Sequence, residues 1–437
     1  MLNPQNIIIS HVYSSDNKGD AALTGVLLEG LRQRFPAASI TILQLERGKN
    51  DTHFEGAPQT PGFMYFALNK YRNPLVKLCY SAYMIIATLL WAKATRRTGW
   101  QPYLPPHLRQ VAYLYRQADL IVAVGGGYIR SRRGLLNRMN VPLLLHPLLF
   151  GYLLRKPTVL YSQSVGPFQN DLERWMVTLV LKRMDLILAR EDISADLLKT
   201  LGVTNNVQRA VDAGFLLQKT RSISLRRRYH ISKTQPVVGV TVRAWLEPAQ
   251  QAAYEQAVAY ALDQFIENAH AHIIFIPQVT ASKGDDDRIV SRRVHNLMRH
   301  KKSSTVVEET GDYHDIKNMY DDLDLLLGTR FHSVIFSLTS FVPVLAIEYE
   351  HKTSGIMRDL GLEKWVIKIE DVRPQNLSAL LHKLLLERDH YRLHLRTAIP
   401  PYVHRAREAL DALVNTYGKH PEAKQPLRHH EVVEVEE

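Results

Sequence analysis

Short apolar, β-branched runs recur along this chain between longer segments with helical spacing, and that alternation constrains the fold more than any other feature. Ile7-Ile8-Ile9 precedes a helix-like segment from about Ala21 to Phe35, then comes Ile40-Thr41-Ile42-Leu43, then helical patterns flanking Leu120-Ile121-Val122-Ala123-Val124. Strands separated by helices cannot pair as hairpins, so the pattern predicts parallel sheets covered by helices. Thr158 to Tyr161 and Leu186 to Ala189 continue the series, and Val211-Asp212-Ala213-Gly214-Phe215 closes it. A basic stretch without strand signal, Gln218 to Gln235, separates this half from a second alternation. That half runs through Val237 to Val242, a helix from about Gln250 to Ala269, Ile273 to Ile276, Leu323 to Leu327, Val342 to Ala346 and Trp365-Val366-Ile367. With 437 residues to divide, two α/β domains are expected. The reading is a Rossmann-like domain over 1–217, a linker over 218–235, a second Rossmann-like domain over 236–396, a C-terminal helix over 397–420 and a disordered charged tail over 421–437. Two doubly wound domains leave a cleft between their strand ends, suited to a two-substrate reaction.

Composition narrows the function classes. One cysteine, Cys79, leaves no intramolecular disulfide and no cysteine-rich metal site, which fits a reducing cytoplasm. No charged-then-apolar leader precedes Met1-Leu2-Asn3-Pro4, so secretion is not expected. The net charge of +12 attracts nucleic acid, anionic lipid or a small phosphorylated substrate. The basic residues are dispersed, as in Arg96-Arg97, Arg130-Ser131-Arg132-Arg133 and Arg226-Arg227-Arg228, without a zinc-finger or RNA-binding signature, so no nucleic-acid partner is expected. Two apolar stretches, Leu75 to Trp91 and Val141 to Tyr152, admit two readings: core helices, or, for the first with its flanking Lys93, Arg96 and Arg97, a helix lying at a membrane surface.

The densest chemical signal is Asp324 to Ser333, where an apolar run ends in Gly328-Thr329-Arg330-Phe331-His332. Ligands of open α/β sheets sit outside the carboxyl ends of the strands. On an extended segment residues two apart share a side, so Arg330 and His332 are expected to project together: a fixed cation beside a proton donor. The alternative is Arg330 ion-paired to Asp322 or Asp324 beside a histidine packed in the core. A second arginine, Arg243, ends the strand Val237 to Val242, and two guanidinium forks can hold phosphate and carboxylate together. Lys352, in Glu348-Tyr349-Glu350-His351-Lys352, adds a cation after another strand.

In the first half, Asn17-Lys18-Gly19-Asp20 lies between first strand and first helix, where exposed amides favour an anion or a sugar, although Asp20 is also an ordinary helix cap by type. Gly125-Gly126-Gly127 lets backbone approach a ligand closely, and Ser162-Gln163-Ser164 follows a third strand. Gln278, at the end of Ile273 to Pro277, brings an amide to the same region. There is no G-x-G-x-x-G pattern at the glycine run, no Walker sequence, no H-E-x-x-H and no G-x-S-x-G.

Taken in order, Asn17-Lys18-Gly19-Asp20, Gly125-Gly126-Gly127, Ser164-Val165-Gly166-Pro167, Arg190-Glu191 with Ser194 and Leu197-Leu198, Asp212-Ala213-Gly214-Phe215, Gly328-Thr329-Arg330-Phe331-His332-Ser333 and His351-Lys352 resemble the polysaccharide pyruvyl transferase family. The resemblance spans roughly residues 5 to 395. It implies a fold like that of two-domain (GT-B-like) glycosyltransferases and transfer of a pyruvyl group from phosphoenolpyruvate to a sugar of a cell-surface polysaccharide precursor, forming a cyclic ketal. By position Arg243 and Arg330, with Lys352, match donor-holding cations and His332 the general acid. The acceptor, a glycan or a lipid-linked or nucleotide-linked sugar, then falls to Asn17, Asp20, Gly126, Gly127, Ser164 and Gln278. No metal or other cofactor is implied, phosphoenolpyruvate being a co-substrate. A cytoplasmic enzyme, in peripheral contact with the inner face of the membrane if the first apolar helix lies there, is the expected setting. A nucleotide-sugar glycosyltransferase and a non-catalytic glycan-binding or assembly protein share the architecture and stand as alternatives.

Overall fold

The computed structural model describes residues 3–45, 54, 56–131, 139–220, 224–280 and 286–419. Arg132-Arg133 and the tail 421–437 lie outside the described residues. Seven strands build the first sheet: β1 (Asn6–Val12), β2 (Ser39–Gln44), β3 (Gln59–Pro61), β4 (Leu120–Ala123), β5 (Thr158–Gln163), β6 (Leu186–Ala189) and β7 (Val207–Arg209), in the order β3-β2-β1-β4-β5-β6-β7. Six build the second: β8 (Val237–Thr241), β9 (His272–Phe275), β10 (Ser304–Val306), β11 (Leu325–Gly328), β12 (Val344–Glu348) and β13 (Val366–Lys368), in the order β10-β9-β8-β11-β12-β13. Every strand pair in both sheets is parallel.

Side-chain alternation explains how each strand serves two cores. Ile7 and Ile9 join one apolar cluster while Ile8 joins another, and likewise Leu120 and Val122 part from Ile121 and Ala123. The chain order reverses between β1 and β4 in the first sheet and between β8 and β11 in the second. At such switch points the loops leaving neighbouring strands diverge and open a crevice. The loops concerned are Tyr13 to Asn17 and Val124 to Gly127 on one side, Val242 to Trp245 and Thr329-Arg330 on the other.

Val211 to Phe215, expected to close the first unit, is not a strand: β7 occupies Val207–Arg209, and Ala213–Leu216 is a single 3-10 turn capped by Asp212, whose Oδ1 accepts the Gly214 N–H at 2.8 Å. The basic stretch before the second domain holds a short helix, Leu225–Arg228, fastened by Asp322, which accepts the Leu225 N–H at 2.6 Å, and by Asp324, which pairs with Arg226 at 2.6 Å. The helix Pro374–Ala398 packs on the second domain, and the helix Pro400–Lys419 returns to the first. There Asp411 meets Arg34 at 2.6 Å and Tyr417 meets Phe35 edge to face at 6.1 Å.

Candidate active site

The two domains touch directly at the cleft floor. The Lys18 N–H donates to the Gln278 carbonyl at 2.9 Å, the Thr280 N–H to the Asp16 carbonyl at 2.9 Å, and Asn17 and Val279 form an antiparallel bridge. This fixes the start of the Lys18–Arg34 helix against the second domain. Asn17 caps that helix, its Oδ1 accepting the N–H groups of Gly19 at 3.1 Å and Asp20 at 3.4 Å while its amide donates to Asp20 at 2.8 Å.

His332 stands against this helix end. A Cβ added at Gly19 would lie 2.0 Å from His332 Nδ1, so the ring occupies space that only glycine leaves open. On the ring's other side Nε2 is buried, has no hydrogen-bond partner among the described residues, and lies 3.9 Å from Asp212 Oδ2. Asp212 itself is neutralised by Arg190, whose Nη1 donates to it at 2.9 Å and whose Nε donates to Ser164 Oγ at 2.6 Å. Burial lowers His332 to about 4, against the pull of Asp212, with Arg190 and Lys352 adding to the lowering. Burial pushes Asp20 up to about 6, although Lys352 and Arg190 draw it down.

Arg190 and Lys352 lie over the Phe331 ring at 5.3 and 5.2 Å from its centroid. Lys352 pairs with Glu350 at 3.0 Å, and Glu350 accepts from Arg130 at 2.6 Å. Burial alone would raise the Glu350 carboxyl, but the two cations hold it at about 2, leaving one positive charge in excess across the trio. Arg243 lies over Tyr349 at 4.3 Å and Trp245 at 4.8 Å, and Tyr349 also carries Lys352 at 6.0 Å. Arg190, Lys352 and Arg243 thus form a chain of cations joined through Phe331 and Tyr349. A cavity of about 240 Å³ reaches Arg190, Asp212, Phe331 and Lys352. A larger one, about 860 Å³, follows the domain seam between Asp16, Lys18 and Glu29 on one side and Arg288, Asp312 and His314 on the other.

Two expected site residues are turned elsewhere. Arg330 is not extended-strand neighbour to His332: β11 stops at Gly328, Arg330 is the N-cap of the helix Phe331–Thr339, and the side chains diverge. Its Nε and Nη2 both go to Asp287, the latter at 2.5 Å, and neither Asp322 nor Asp324 is the partner. Asp287 also accepts the N–H groups of Gln278 and Val279 at 3.0 Å, so the pair ties the β9 loop to the start of the Phe331–Thr339 helix. Gln278 is likewise buried, its amide donating to Tyr320 at 2.9 Å. In the glycine run, Gly125 is held by backbone packing, since a Cβ there would strike the Ser162 carbonyl at 2.1 Å. Gly127 faces Arg190, at 3.7 Å from where its Cβ would stand. The Gly126 carbonyl accepts from the Ser164 N–H at 3.0 Å and from Gln163 Nε2 at 2.8 Å. The structure therefore groups Asn17, Asp20, Gly127, Ser164, His332 and Lys352, places Arg243 beside Lys352, and puts Arg330 and Gln278 beneath the cleft. Arg130 and Asp287 carry no strand-end glycine or paired pattern that marks them in sequence, whereas Glu350 lies in the segment after β12 that also carries Lys352. Arg190 and Asp212 do follow strand ends, yet only the fold reveals their ion pair.

Two parallel sheets facing each other across a cleft define a two-domain fold of the GT-B class. Solved structures with this fold include UDP-GlcNAc 2-epimerase from Neisseria meningitidis bound to UDP-GlcNAc, with TM-score 0.58 and 10% identity over 94% of this chain and 99% of that one. A glycosyltransferase from Rickettsia africae aligns with TM-score 0.52 and 11% identity over 95% of this chain and 98% of that one. Identity that low speaks for the fold alone. Residues 17–351 match the family described as polysaccharide pyruvyl transferase, and the chain belongs to that family. Among curated proteins it is 26% identical over 299 residues to the amylovoran biosynthesis protein AmsJ of Erwinia amylovora, covering 64% of this chain and 69% of that protein.

Proposed function

We propose that the chain transfers a pyruvyl group from phosphoenolpyruvate to a sugar of a polysaccharide precursor, with His332 as the proton donor. Membership of the family supports the transferase class and a place in polysaccharide biosynthesis. The donor rests on the local chemistry: a buried imidazole nitrogen without a hydrogen-bond partner among the described residues, set between an ion-paired carboxylate and a row of cations. Arg243 and Lys352 are assigned to the donor anion, Lys352 lining the small cavity together with Arg190; Arg330 holds the loop beneath them. Asp20 and Asn17 are assigned to the acceptor hydroxyls, and the polar cavity along the seam to the rest of the glycan.

The reaction asks for one proton at the methylene carbon of the enol phosphate. A first sugar hydroxyl then adds to the neighbouring carbon, phosphate leaves, and a second hydroxyl closes the ketal. Of the two hydroxyl protons, one replaces the proton given to the methylene and the other departs with phosphate. A histidine at about 4 is neutral in the empty cleft at neutral pH, so the charge of the bound donor has to raise it; a dianion beside Nε2 does that. Asp20, near 6, is placed in the range where a carboxyl takes up a hydroxyl proton efficiently. Incubation with phosphoenolpyruvate and candidate glycan intermediates should release phosphate and leave a pyruvate ketal visible by NMR. Nucleotide release from a sugar nucleotide without phosphoenolpyruvate consumption would replace this reading with glycosyl transfer.

A further inference from the structure

From Gly56 to Ala118 the sequence has no aspartate or glutamate and eight lysines or arginines. The helix Pro74–Thr98 occupies the middle of this stretch. One face of it is packed: Ser81, Met84, Thr88, Trp91 and Ala92 are buried, Thr88 Oγ1 meets His146 Nε2 at 2.7 Å, and Trp91 stacks on Phe150 at 6.2 Å. Among the described residues nothing covers the opposite face. Leu75 is 69% exposed, Ile86 60% and Leu90 59%, with Cys79 and Tyr83 on the same stripe at helical spacing. The stripe ends in Lys93 and Arg97, and beyond it Lys93, Arg96, Arg97 and Arg155 surround Leu153 in a groove of about 470 Å³. Trp100 and Tyr103, 67% and 79% exposed, follow at once.

We infer that this face is a docking surface for a bilayer containing anionic lipid. Apolar side chains on the outward stripe enter the acyl boundary, the aromatic residues suit the headgroup level, and the basic groove takes lipid phosphate. Length and apolar character would also let this helix cross a bilayer. Its regular packed stripe, hydrogen-bonded through Thr88 to the neighbouring Asn140–Leu153 helix, instead fixes it lengthwise on the protein surface. The absence of acidic residues selects the occupant: a protein partner of mixed charge has no use for a uniformly basic rim, whereas a negative surface is attracted along all of it. Docking there would bring the cleft enzyme to membrane-borne glycans, but the inference stands on this face alone and does not depend on the reaction proposed above.

The test is co-sedimentation of the full chain with vesicles of phosphatidylcholine plus phosphatidylglycerol, against phosphatidylcholine alone. The wild-type protein should pellet with the anionic vesicles, less so as salt rises, and remain largely in solution with the neutral ones. Ile86→Glu with Leu90→Glu, and separately Arg96→Glu with Arg97→Glu, should each lower partitioning by on the order of tenfold or more with an unchanged melting midpoint. Should the apolar pair disturb folding, the charge pair, at exposed positions past the packed stripe, still carries the test. Wild-type protein that stays in the supernatant with anionic vesicles at low salt overturns the inference, as do both variants binding like wild type. So does light scattering that finds a dimer which Ile86→Glu with Leu90→Glu converts to monomer, since that assigns the face to a second copy.

Discussion

His332 and Arg330 sit two residues apart and do different work, so substitutions should separate them. His332→Gln keeps the ring's approximate volume but cannot supply a proton. Turnover is expected to fall by at least about a thousandfold while phosphoenolpyruvate affinity stays within a few fold; comparing single-turnover phosphate release with donor titration checks both. Turnover near wild type in that variant would make His332 a packing residue. Arg330→Ala instead strands Asp287, which burial already pushes upward and which Arg330 and the Gln278 and Val279 N–H groups draw back. Breaking one partner of a buried pair costs about 3–5 kcal/mol, so the denaturation midpoint should drop sharply. Arg243→Lys should leave stability alone and raise the donor concentration needed for half-saturation by about tenfold, because the charge survives while the planar fork stacked on Tyr349 does not. If Arg243→Lys saturates as wild type does, Arg243 is not part of the donor site.

At the level of elements, the start of the Lys18–Arg34 helix organises the site, and its tolerance is set by Gly19. An alanine there must displace the His332 ring, since its Cβ would arrive 2.0 Å from Nδ1. A shift of about 1 Å in a reacting group costs about a hundredfold in rate, so Gly19→Ala should lose about that much turnover with little change in melting; unaltered turnover would mean the ring is free to move. This contact explains what sequence could and could not carry. Short apolar runs such as Ile7-Ile8-Ile9 and Leu325-Leu326-Leu327, set between helical patterns, announce strands buried on both faces. The edge strands β3 and β10, three residues each and with only Val306 among them strongly apolar, give no such signal. Strand ends announced the chemistry, but not the direction of side chains: alternation held to Gly328 and failed two residues later, where Arg330 caps a helix. The Leu75 to Trp91 stretch reads as both core and surface helix because it is both, one stripe packed and one bare. Leu90, 59% exposed, is therefore a position where glutamate should be tolerated by the fold.

Over the whole molecule, three histidines stay uncharged because folding buries them. His11 is lowered to about 4, His146 to about 3 and His332 to about 4, burial being the main cause in each. Unfolding returns them to about 6.5. The unfolded chain therefore binds more protons between pH 4 and 6.5, and stability falls as pH drops through that window. Asp20 runs in the opposite sense: raised to about 6, it holds its proton longer in the folded state, and its contribution is lost as pH rises through 6. Burial also lowers His107 and His272 and raises Asp287 alongside Asp20; the imidazoles outnumber the carboxyls, so acid is destabilising. Each of these three histidines is worth about 3–5 kcal/mol once fully titrated, so the melting midpoint should be level near pH 7 and lower by on the order of 10 °C at pH 5. His146 offers the internal control. It packs edge to face on Phe63, and Thr88 can donate to the Met84 carbonyl without it, so phenylalanine is accommodated by shape. His146→Phe should make the acid slope measurably shallower; a slope that stays the same would place the protons on other groups.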